Sequence, residues 1–394
     1  MIDPPIRVGV IGLGRAFTLM LPTFQCDPRV NMVAACDPIA VARDQFVTDF
    51  ARRAYDSAEA LCADADVELV YIASPHQFHA EHVTLAAAAG KHVLLEKPMA
   101  ITLADCTQMI ERMRSAERSL IVGHSHSFDG PVLKACEIIE SGTVGAVRMI
   151  QALNYTDFLY RPRRPEELRT TDGGGVIHSQ AAHQIDVVRL LGGGLVRSVR
   201  AHTGQWDASR PTEGAYSALL HFEGGAFASL TYSGYGHFDS DEWMDWIGEL
   251  GVKKDAGSYG TTRKRHATFT NATEEIQAKA ARNYGGSNNP PAAENTSHQH
   301  FGPIIVSCER GDLRLTPAGV WVYADTECHF ESVALTDVPR CEVIDEIWAT
   351  LREGKPAAHD GLWARATTEV SLSILESASE DRNVRLRYQV PWRG

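Results

Sequence analysis

The feature that most constrains this chain is a rhythm near its N-terminus. Ile6, Val8, Val10 and Ile11 form a short apolar run ending in Gly12-Leu13-Gly14, and further apolar runs recur at Val30–Cys36, 67–73 and His92–Leu95. Between them lie alanine-rich segments, 40–53, 57–63 and 79–89, each long enough for a helix. Strand-length runs alternating with helical segments build a parallel sheet, because every parallel crossover needs a connection of helix length. Pro98 follows a strand, and Thr102 is a candidate N-cap for an amphipathic helix carrying Leu103, Met109, Ile110 and Met113, with Asp105 in its first turn. A strand at 120–123 then sets an expected domain boundary at residue 124.

After that point the pattern changes. A helix is expected at 131–140, stopped by Gly142. Another opens at Gly173-Gly174-Gly175, carries Val176, Ile177, Ile185, Val187, Val188, Leu190 and Leu191, and ends at Gly192-Gly193-Gly194. Strand-type composition follows at 196–201, Ala215–Phe222 and 226–232, the last two joined by Glu223-Gly224-Gly225. Ile304–Cys308 and 313–315 flank a second hairpin turn, 320–323 adds a strand, helices close the chain at 344–351 and 363–375, and a strand is expected at 384–390. Strands not separated by helices argue an antiparallel or mixed sheet. The expected fold class is α/β: a Rossmann domain over 1–124, then an α/β domain over 125–394 with a large, mostly antiparallel sheet. The stretch 257–300 is an expected insertion, with Arg263, Lys264 and Arg265 together and a tip Gly285-Gly286-Ser287-Asn288-Asn289-Pro290-Pro291. It is read as a lid flanking the active site or a subunit interface, with a solvated loop as the alternative.

Composition narrows the partners. Among 394 residues, 38 Lys and Arg face 50 Asp and Glu, a net charge of −12, which repels a phosphate backbone and disfavours nucleic acid. The eight cysteines are scattered without the spacing of a zinc or redox motif, so reduced thiols and no metal are expected. No run reaches the roughly 18 apolar residues of a membrane span and no basic leader opens the chain; a cytoplasmic protein is expected.

The glycine turn after the first strand is the opening of a dinucleotide site. Gly12 permits the turn, Gly14 permits close approach of a pyrophosphate, and the N–H groups at the helix start meet its charge. The cofactor set on this turn is Gly12, Leu13, Gly14, Arg15 and Phe17, where Phe17 occupies the position of a third glycine. Asp37 ends the second strand, where a carboxylate accepts ribose hydroxyls and repels a 2′-phosphate, favouring NAD; capping of the next helix is the alternative reading. Ser74-Pro75-His76 with His79, and Glu96-Lys97-Pro98, follow the next strands at the same sheet edge, where ligands of such sheets bind. Lys97 suits an oxygen or anion; an exposed Glu96–Lys97 loop pair is the bland alternative.

With these motifs the chain resembles the glucose–fructose oxidoreductase / inositol dehydrogenase / rhizopine-catabolism family along essentially its whole length. In that family the loop after the fourth strand usually reads Thr-Pro-Asn-x-x-His. Pro75 and His79 match, and His76 replaces the asparagine. The resemblance implies an active-site role for Lys97. It also implies one for the helix after the glycine cluster: His183 and Asp186 match, while Ser179 and Ala181 replace the usual Asp and Gly. Ser179, four residues before His183, is expected to position that histidine or a substrate oxygen, with Asp186 as an anchor and His178 substrate-facing or solvated. Gly123-His124-Ser125-His126, Tyr160-Arg161-Pro162-Arg163-Arg164, the insertion and Phe301-Gly302-Pro303 resemble the branch of phthalate 4,5-cis-dihydrodiol (4,5-dihydroxyphthalate) dehydrogenases. From this resemblance Arg161, Arg163 and Arg164, with His124, His126, Tyr155 and His178, are expected around an anionic substrate. The resemblance implies an NAD-dependent dehydrogenase of a carboxylated cyclic diol, with Lys97, His183 and Ser179 as its catalytic residues, and a homodimer or homotetramer through the C-terminal sheet. A sugar or inositol dehydrogenase and a non-catalytic nucleotide sensor are the alternatives.

Overall fold

Six short strands, β1 (Ile6–Ile11), β2 (Val30–Cys36), β3 (Arg53–Tyr55), β4 (Leu69–Ile72), β5 (His92–Leu95) and β6 (Leu120–Val122), pair in parallel in the order β3-β2-β1-β4-β5-β6. This is the doubly wound order of a Rossmann fold, whose reversal beside β1 places the ends of β1 and β4 at the binding edge. The computed structural model describes residues 3–287 and 296–393. The central strands carry Val8, Val10, Val70, Tyr71, Ile72, Val93, Leu94 and Leu95 with no more than trace exposure, as strands covered on both faces must. β3 lies at the end of a segment expected to be helical; Ala51 turns left-handed at φ 51° and ends the preceding helix Ala40–Phe50.

This first unit comprises Met1–His124 together with Gln277–Ala292 and Thr336–Arg365. The division at residue 124 had assigned both later segments to the second domain. The helix Cys341–Arg352 buries Val343, Ile344 and Ile347, and Arg352 reaches Glu68 at 2.6 Å while Arg29 reaches Asp345 at 2.7 Å. His359 accepts from the Val122 N–H at 2.9 Å, and Asp360 bridges Ile121, so the returning chain closes the open edge at β6. Within the insertion, Tyr284 is 6% exposed, packs edge-on against Phe17 at 5.2 Å and donates its hydroxyl to Asp49. That part of the insertion is a strap on the nucleotide unit; the tip residues Asn288 to Pro291 lie outside the described residues.

The second unit comprises Ser125–Ile276, Ala293–Leu335 and Ala366–Gly394. Nine strands build its sheet: β7 (Val147–Tyr155), β8 (Val196–Gly204), β9 (Ala215–Phe222), β10 (Phe227–Ser233), β11 (Ile304–Cys308), β12 (Gly311–Thr316), β13 (Gly319–Ala324), β14 (Cys328–Ser332) and β15 (Val384–Arg385). Their order is β14-β13-β12-β11-β7-β10-β9-β8-β15, antiparallel throughout except where β7 meets β10. The expected α/β class and mostly antiparallel sheet are thus present. The strand expected at 384–390 stops after Arg385, because the Arg387 and Tyr388 N–H groups donate to the Glu369 carboxylate at 2.6 and 2.9 Å instead of to the ladder. The helices Gly130–Glu140 and Ala182–Leu191 pack on one face of the sheet, against β12 and β13 and against β7 and β10. No two of the eight cysteines are joined in a disulfide, and no helix among the described residues is long and apolar enough to cross a membrane.

Candidate active site

The nucleotide end is built by the turn after β1. Gly12 sits at φ +95°, and a Cβ there would lie 2.8 Å from the backbone of Ala73 and Ser74, so only glycine lets this turn pass the end of β4. A Cβ on Gly14 would meet no protein atom within 4 Å, and no side chain caps the helix Arg15–Cys26 that it opens. The N–H groups at that helix start therefore suit a pyrophosphate. Asp37 braces the turn: Oδ2 accepts from the Leu13 N–H and Oδ1 from the Ile39 N–H, both at 2.8 Å. Each oxygen has a second lone pair, which keeps ribose recognition compatible with this bracing.

Phe17 requires a correction as a cofactor contact. Its side chain is fully buried against Phe46 and Tyr284, so it packs the helix onto the strap, and only its backbone N–H belongs to the helix start. Arg15 reaches Thr18 at 3.3 Å, and burial together with the nearby Arg340 guanidinium lowers its pKa. Arg340, which also acts electrostatically on Glu96 and Tyr71, comes from the returning segment and carried no sequence signal.

After β5, Glu96 is 8% exposed and accepts from the Tyr71 hydroxyl at 2.7 Å. Burial raises its pKa against the opposing pull of Lys97 and Tyr71. Lys97 beside it is half-buried, which removes the reading of an exposed loop pair. His79 is a pin for this loop rather than a cofactor contact, because its ring is 1% exposed with both nitrogens turned to protein carbonyls. Those carbonyls belong to Pro98 (3.1 Å) and Met99 (3.2 Å) on one side and Ser74 (3.0 Å) on the other. Burial drives its pKa down to about 4, so the ring is neutral and its one N–H donates either to the Ser74 carbonyl of the β4 loop or to the Pro98 and Met99 carbonyls of the β5 loop, between which it is packed. Ser74 Oγ pairs with His82 at 2.9 Å, and Pro75 and His76, both half-buried, start the short turn His76–Phe78.

In the second unit the helix expected after the glycine cluster begins as a π turn, Ile177–Ala181, before the regular Ala182–Leu191. Such wide turns interrupt helices where function demands it. Ser179 donates its hydroxyl back to the Gly175 carbonyl at 2.5 Å, a contact local to its own turn. Asp186 accepts from Ser127, and from Thr367 at 2.8 Å, anchoring the turn His126–Phe128.

That turn brings His126 to His183, with ring centroids 4.8 Å apart, and both rings lie on Phe301 at 5.3 and 5.2 Å. Phe301 is set by Gly302 at φ +85°, where a Cβ would lie 2.3 Å from the Leu153 carbonyl. His126 Nδ1 is 2.6 Å from Asp129, and its Nε2 is 3.7 Å from Glu249. Burial opposes the charge on His126, but Asp129 and then Glu249 raise its pKa to about 9, so it is an imidazolium at neutral pH. Arg161 joins the cluster through Glu249 at 3.9 Å and Asp157 at 3.4 Å.

The other arginines do not. Arg163 lies over the Phe158 ring at 3.5 Å, donates to the Phe158 carbonyl and faces Glu167 at 3.7 Å; Arg164 faces Glu166 at 3.0 Å. Pro165 starts a tight turn that folds Glu166 and Glu167 back onto them, so these two are corrected from substrate ligands to local pairs. Tyr155 lines a separate cavity of about 480 Å³ with Tyr160, Trp206, Tyr235 and Phe238. His178 is buried in the π turn, and His124 is the last residue of the first unit before Gln277. Sequence reasoning missed Asp129 and Glu249. Asp129 was legible as a carboxylate one turn after His126; Glu249, between irregular residues, left no signal.

Comparison with known proteins matches residues 6–124 to an oxidoreductase family with an NAD-binding Rossmann fold and residues 132–252 to the Gfo/Idh/MocA C-terminal domain. A 1-carboxy-3-chloro-3,4-dihydroxycyclohexa-1,5-diene dehydrogenase of Comamonas testosteroni is 48% identical over 95% of this chain and 96% of its own length. A crystal structure from Bordetella bronchiseptica RB50, assigned as a dehydrogenase, superposes with a TM-score of 0.92 at 39% identity, covering 97% of this chain and 100% of its own. An Agrobacterium radiobacter oxidoreductase in complex with NAD+, L-tartaric acid and magnesium shares the fold, with a TM-score of 0.71 at 19% identity over 96% of this chain and 98% of its own.

Proposed function

The chain belongs to the Gfo/Idh/MocA oxidoreductase family and is an NAD-dependent dehydrogenase, and from that premise we propose that it oxidises a carboxylated cyclohexadiene cis-diol to a catechol. The observation that carries the substrate class is the 48% identity, along 95% of the chain, to a dehydrogenase named for such a diol. Phthalate 4,5-cis-dihydrodiol, expected from the sequence, has the same ring, vicinal hydroxyls and a carboxylate, and it is the substrate proposed here.

The turn Gly12-Leu13-Gly14, the helix start behind it and Asp37 would hold the cofactor, and NAD bound there would supply the hydride acceptor for the carbon that bears the hydroxyl. Lys97 donates to the carbinol oxygen and keeps it oriented. His183 accepts the hydroxyl proton, the role an imidazole fills in general-base catalysis. Phe301 fixes the plane of that ring and Asp186 fixes the turn that carries its neighbour His126. Arg161 meets Asp157 at 3.4 Å and Glu249 at 3.9 Å, longer than good charge-assisted bonds, and lies over the Phe158 ring at 5.7 Å, and its five N–H donors suit a substrate carboxylate. Removal of one carbinol hydride and its hydroxyl proton leaves a hydroxy-ketone, and transfer of the neighbouring carbinol C–H proton to the ketone oxygen gives the aromatic catechol, which pulls the oxidation forward.

The test is NADH formation, read by absorbance, with phthalate 4,5-cis-dihydrodiol, a monocarboxylated cis-dihydrodiol, an uncarboxylated cis-dihydrodiol and myo-inositol. Turnover of a carboxylated diol above the uncarboxylated one is expected. Turnover of inositol alone, or of none, would overturn the substrate assignment.

A further inference from the structure

The histidine cluster of the second unit has a property that the dehydrogenase reading does not use. One ring nitrogen of His126, one of His183 and one carboxylate oxygen of Glu249 all lie within 4.8 Å of one another. Both rings are buried, at 3% and 5% exposure, and Glu249 is half-buried. Two imidazoles and a carboxylate are the donor set of open, four-coordinate zinc sites, in which three protein ligands leave the last position to an oxygen.

We propose that His126, His183 and Glu249 form a binding site for a divalent transition-metal ion of the Zn²⁺ type. Three further observations support it. First, Nδ1 of His126 is engaged by Asp129 at 2.6 Å, the carboxylate–histidine arrangement that holds a ligating ring in place and turns its other nitrogen inward, where an ion binds by displacing that nitrogen's proton. That inward nitrogen is the one 3.7 Å from Glu249. Second, Asp129 and Glu249 meet His126 while Glu249 and Asp157 meet Arg161, so three carboxylates stand against one guanidinium and the charged His126 ring, a net negative charge that suits a cation better than an anion. Third, the two rings cannot drift apart: both are packed on Phe301, and the turn carrying His126 is tied to Asp186 on the helix that carries His183. Metal–ligand bonds of about 2.0–2.2 Å place tetrahedral donors about 3.3–3.6 Å apart, close to the 3.7 Å that already separates His126 Nε2 from Glu249.

The ring nitrogen of His183 that binds an ion does not accept a proton. Metal-loaded and metal-free protein therefore differ in what meets the carbinol oxygen: the ion in one, the imidazole in the other. This inference goes beyond the dehydrogenase reading, and its test needs neither substrate nor turnover.

The full chain, stripped with a chelator and freed of it, is titrated with Co²⁺ and then with Zn²⁺. Visible d–d bands of a four-coordinate ion, saturating at one Co²⁺ per chain and abolished by Zn²⁺, are expected. Glu249→Gln and His126→Gln should each weaken binding at least about tenfold, and Asp129→Asn about tenfold to a hundredfold by loosening the His126 ring. Circular dichroism and thermal unfolding of each variant report that the second unit is still folded, and NAD binding reports the first. A wild-type chain that binds no more Co²⁺ than a Glu249→Gln/His183→Gln double variant with intact NAD binding would overturn the site, as would binding that Glu249→Gln leaves unchanged.

Discussion

Replacing Lys97 by methionine removes a charge while keeping most of the side-chain volume, and replacing His183 by alanine removes a ring that Phe301 and His126 hold in place. Each change should lower the rate of single-turnover NADH formation at least about a hundredfold, the usual worth of a positioned acid–base group, with NAD affinity measured separately and nearly unchanged. Near-normal turnover in His183→Ala would remove it as the base, and the same result in Lys97→Met would remove the lysine from the chemistry. Asp37 carries a double burden that its position alone did not reveal. It ends β2 where ribose recognition is expected, and it also accepts the Leu13 and Ile39 N–H groups. Asp37→Ala should therefore narrow the preference for NAD over NADP in equilibrium titrations and also cost about 1–3 kcal/mol of stability, because two N–H groups lose their acceptor. Tighter binding of NADP than NAD by the unaltered chain would refute the ribose assignment. At this scale the sequence named Lys97, Asp37, His126 and His183 because each stands in a motif. It could not name Glu249 or Arg340, whose neighbours in space are far away along the chain.

Loops and turns show how element-level packing reassigns residues that motifs had singled out. His79 stands in a loop at the ligand-binding edge of the sheet, yet its ring is packed between the carbonyls of Ser74 and Pro98, so it sets the distance between the β4 and β5 loops and with it the place of Lys97. Its pKa falls from the ordinary 6.5 to about 4, so below pH 6.5 the unfolded chain takes up a proton that the folded chain refuses. The stability that this ring contributes is present above pH 6.5 and is lost as pH falls through about 4, by about 3 kcal/mol at most. Urea unfolding of the chain and of His79→Gln between pH 7 and pH 4 checks this: the variant should start less stable and show the smaller pH dependence, and equal slopes would contradict it. The insertion changes meaning in the same way. Tyr284 seals Phe17 and Phe50 on the first unit, so Tyr284→Ala should lower that unit's stability by about 3–5 kcal/mol in thermal unfolding. A stability loss below 1 kcal/mol would restore the solvated-loop reading. The βα alternation of residues 6–122 was legible because buried parallel strands are continuous apolar runs. β7 was not, since Val147-Arg148-Met149-Ile150-Gln151 mixes polar and apolar residues on alternate faces, and the π turn at Ile177–Ala181 has no composition of its own.

Across the whole molecule, the nine-stranded sheet presents two unlike faces. One is covered by helices and buries Ile150, Ala152, Leu220, Leu230, Val306, Leu313 and Val322. On the other, register places Phe330, Trp321, Arg314, Ile305, Gln151, Ser229 and Leu219 side by side across seven consecutive strands. Ile305 is 42% exposed, Phe330 38% and Leu219 36%, with Phe227 and Tyr323 at 38% on neighbouring strands. Singly such residues are ordinary; a contiguous apolar surface interleaved with Arg314 and Gln151 marks an interface. We propose that its occupant is the same face of a second copy, giving a homodimer or homotetramer, because a sheet face can be self-complementary about a two-fold axis. Burial of that face would also explain why the helices need cover only one side. Light scattering should give a mass of two or four times 43.2 kDa. Ile305→Glu combined with Leu219→Glu sets like charges into the row and should move the population toward monomer at micromolar concentration, with NAD affinity nearly unchanged because the nucleotide turn lies in the other unit. A monomeric parent chain would remove the interface outright, and an oligomer indifferent to both substitutions would place the contact on a different surface.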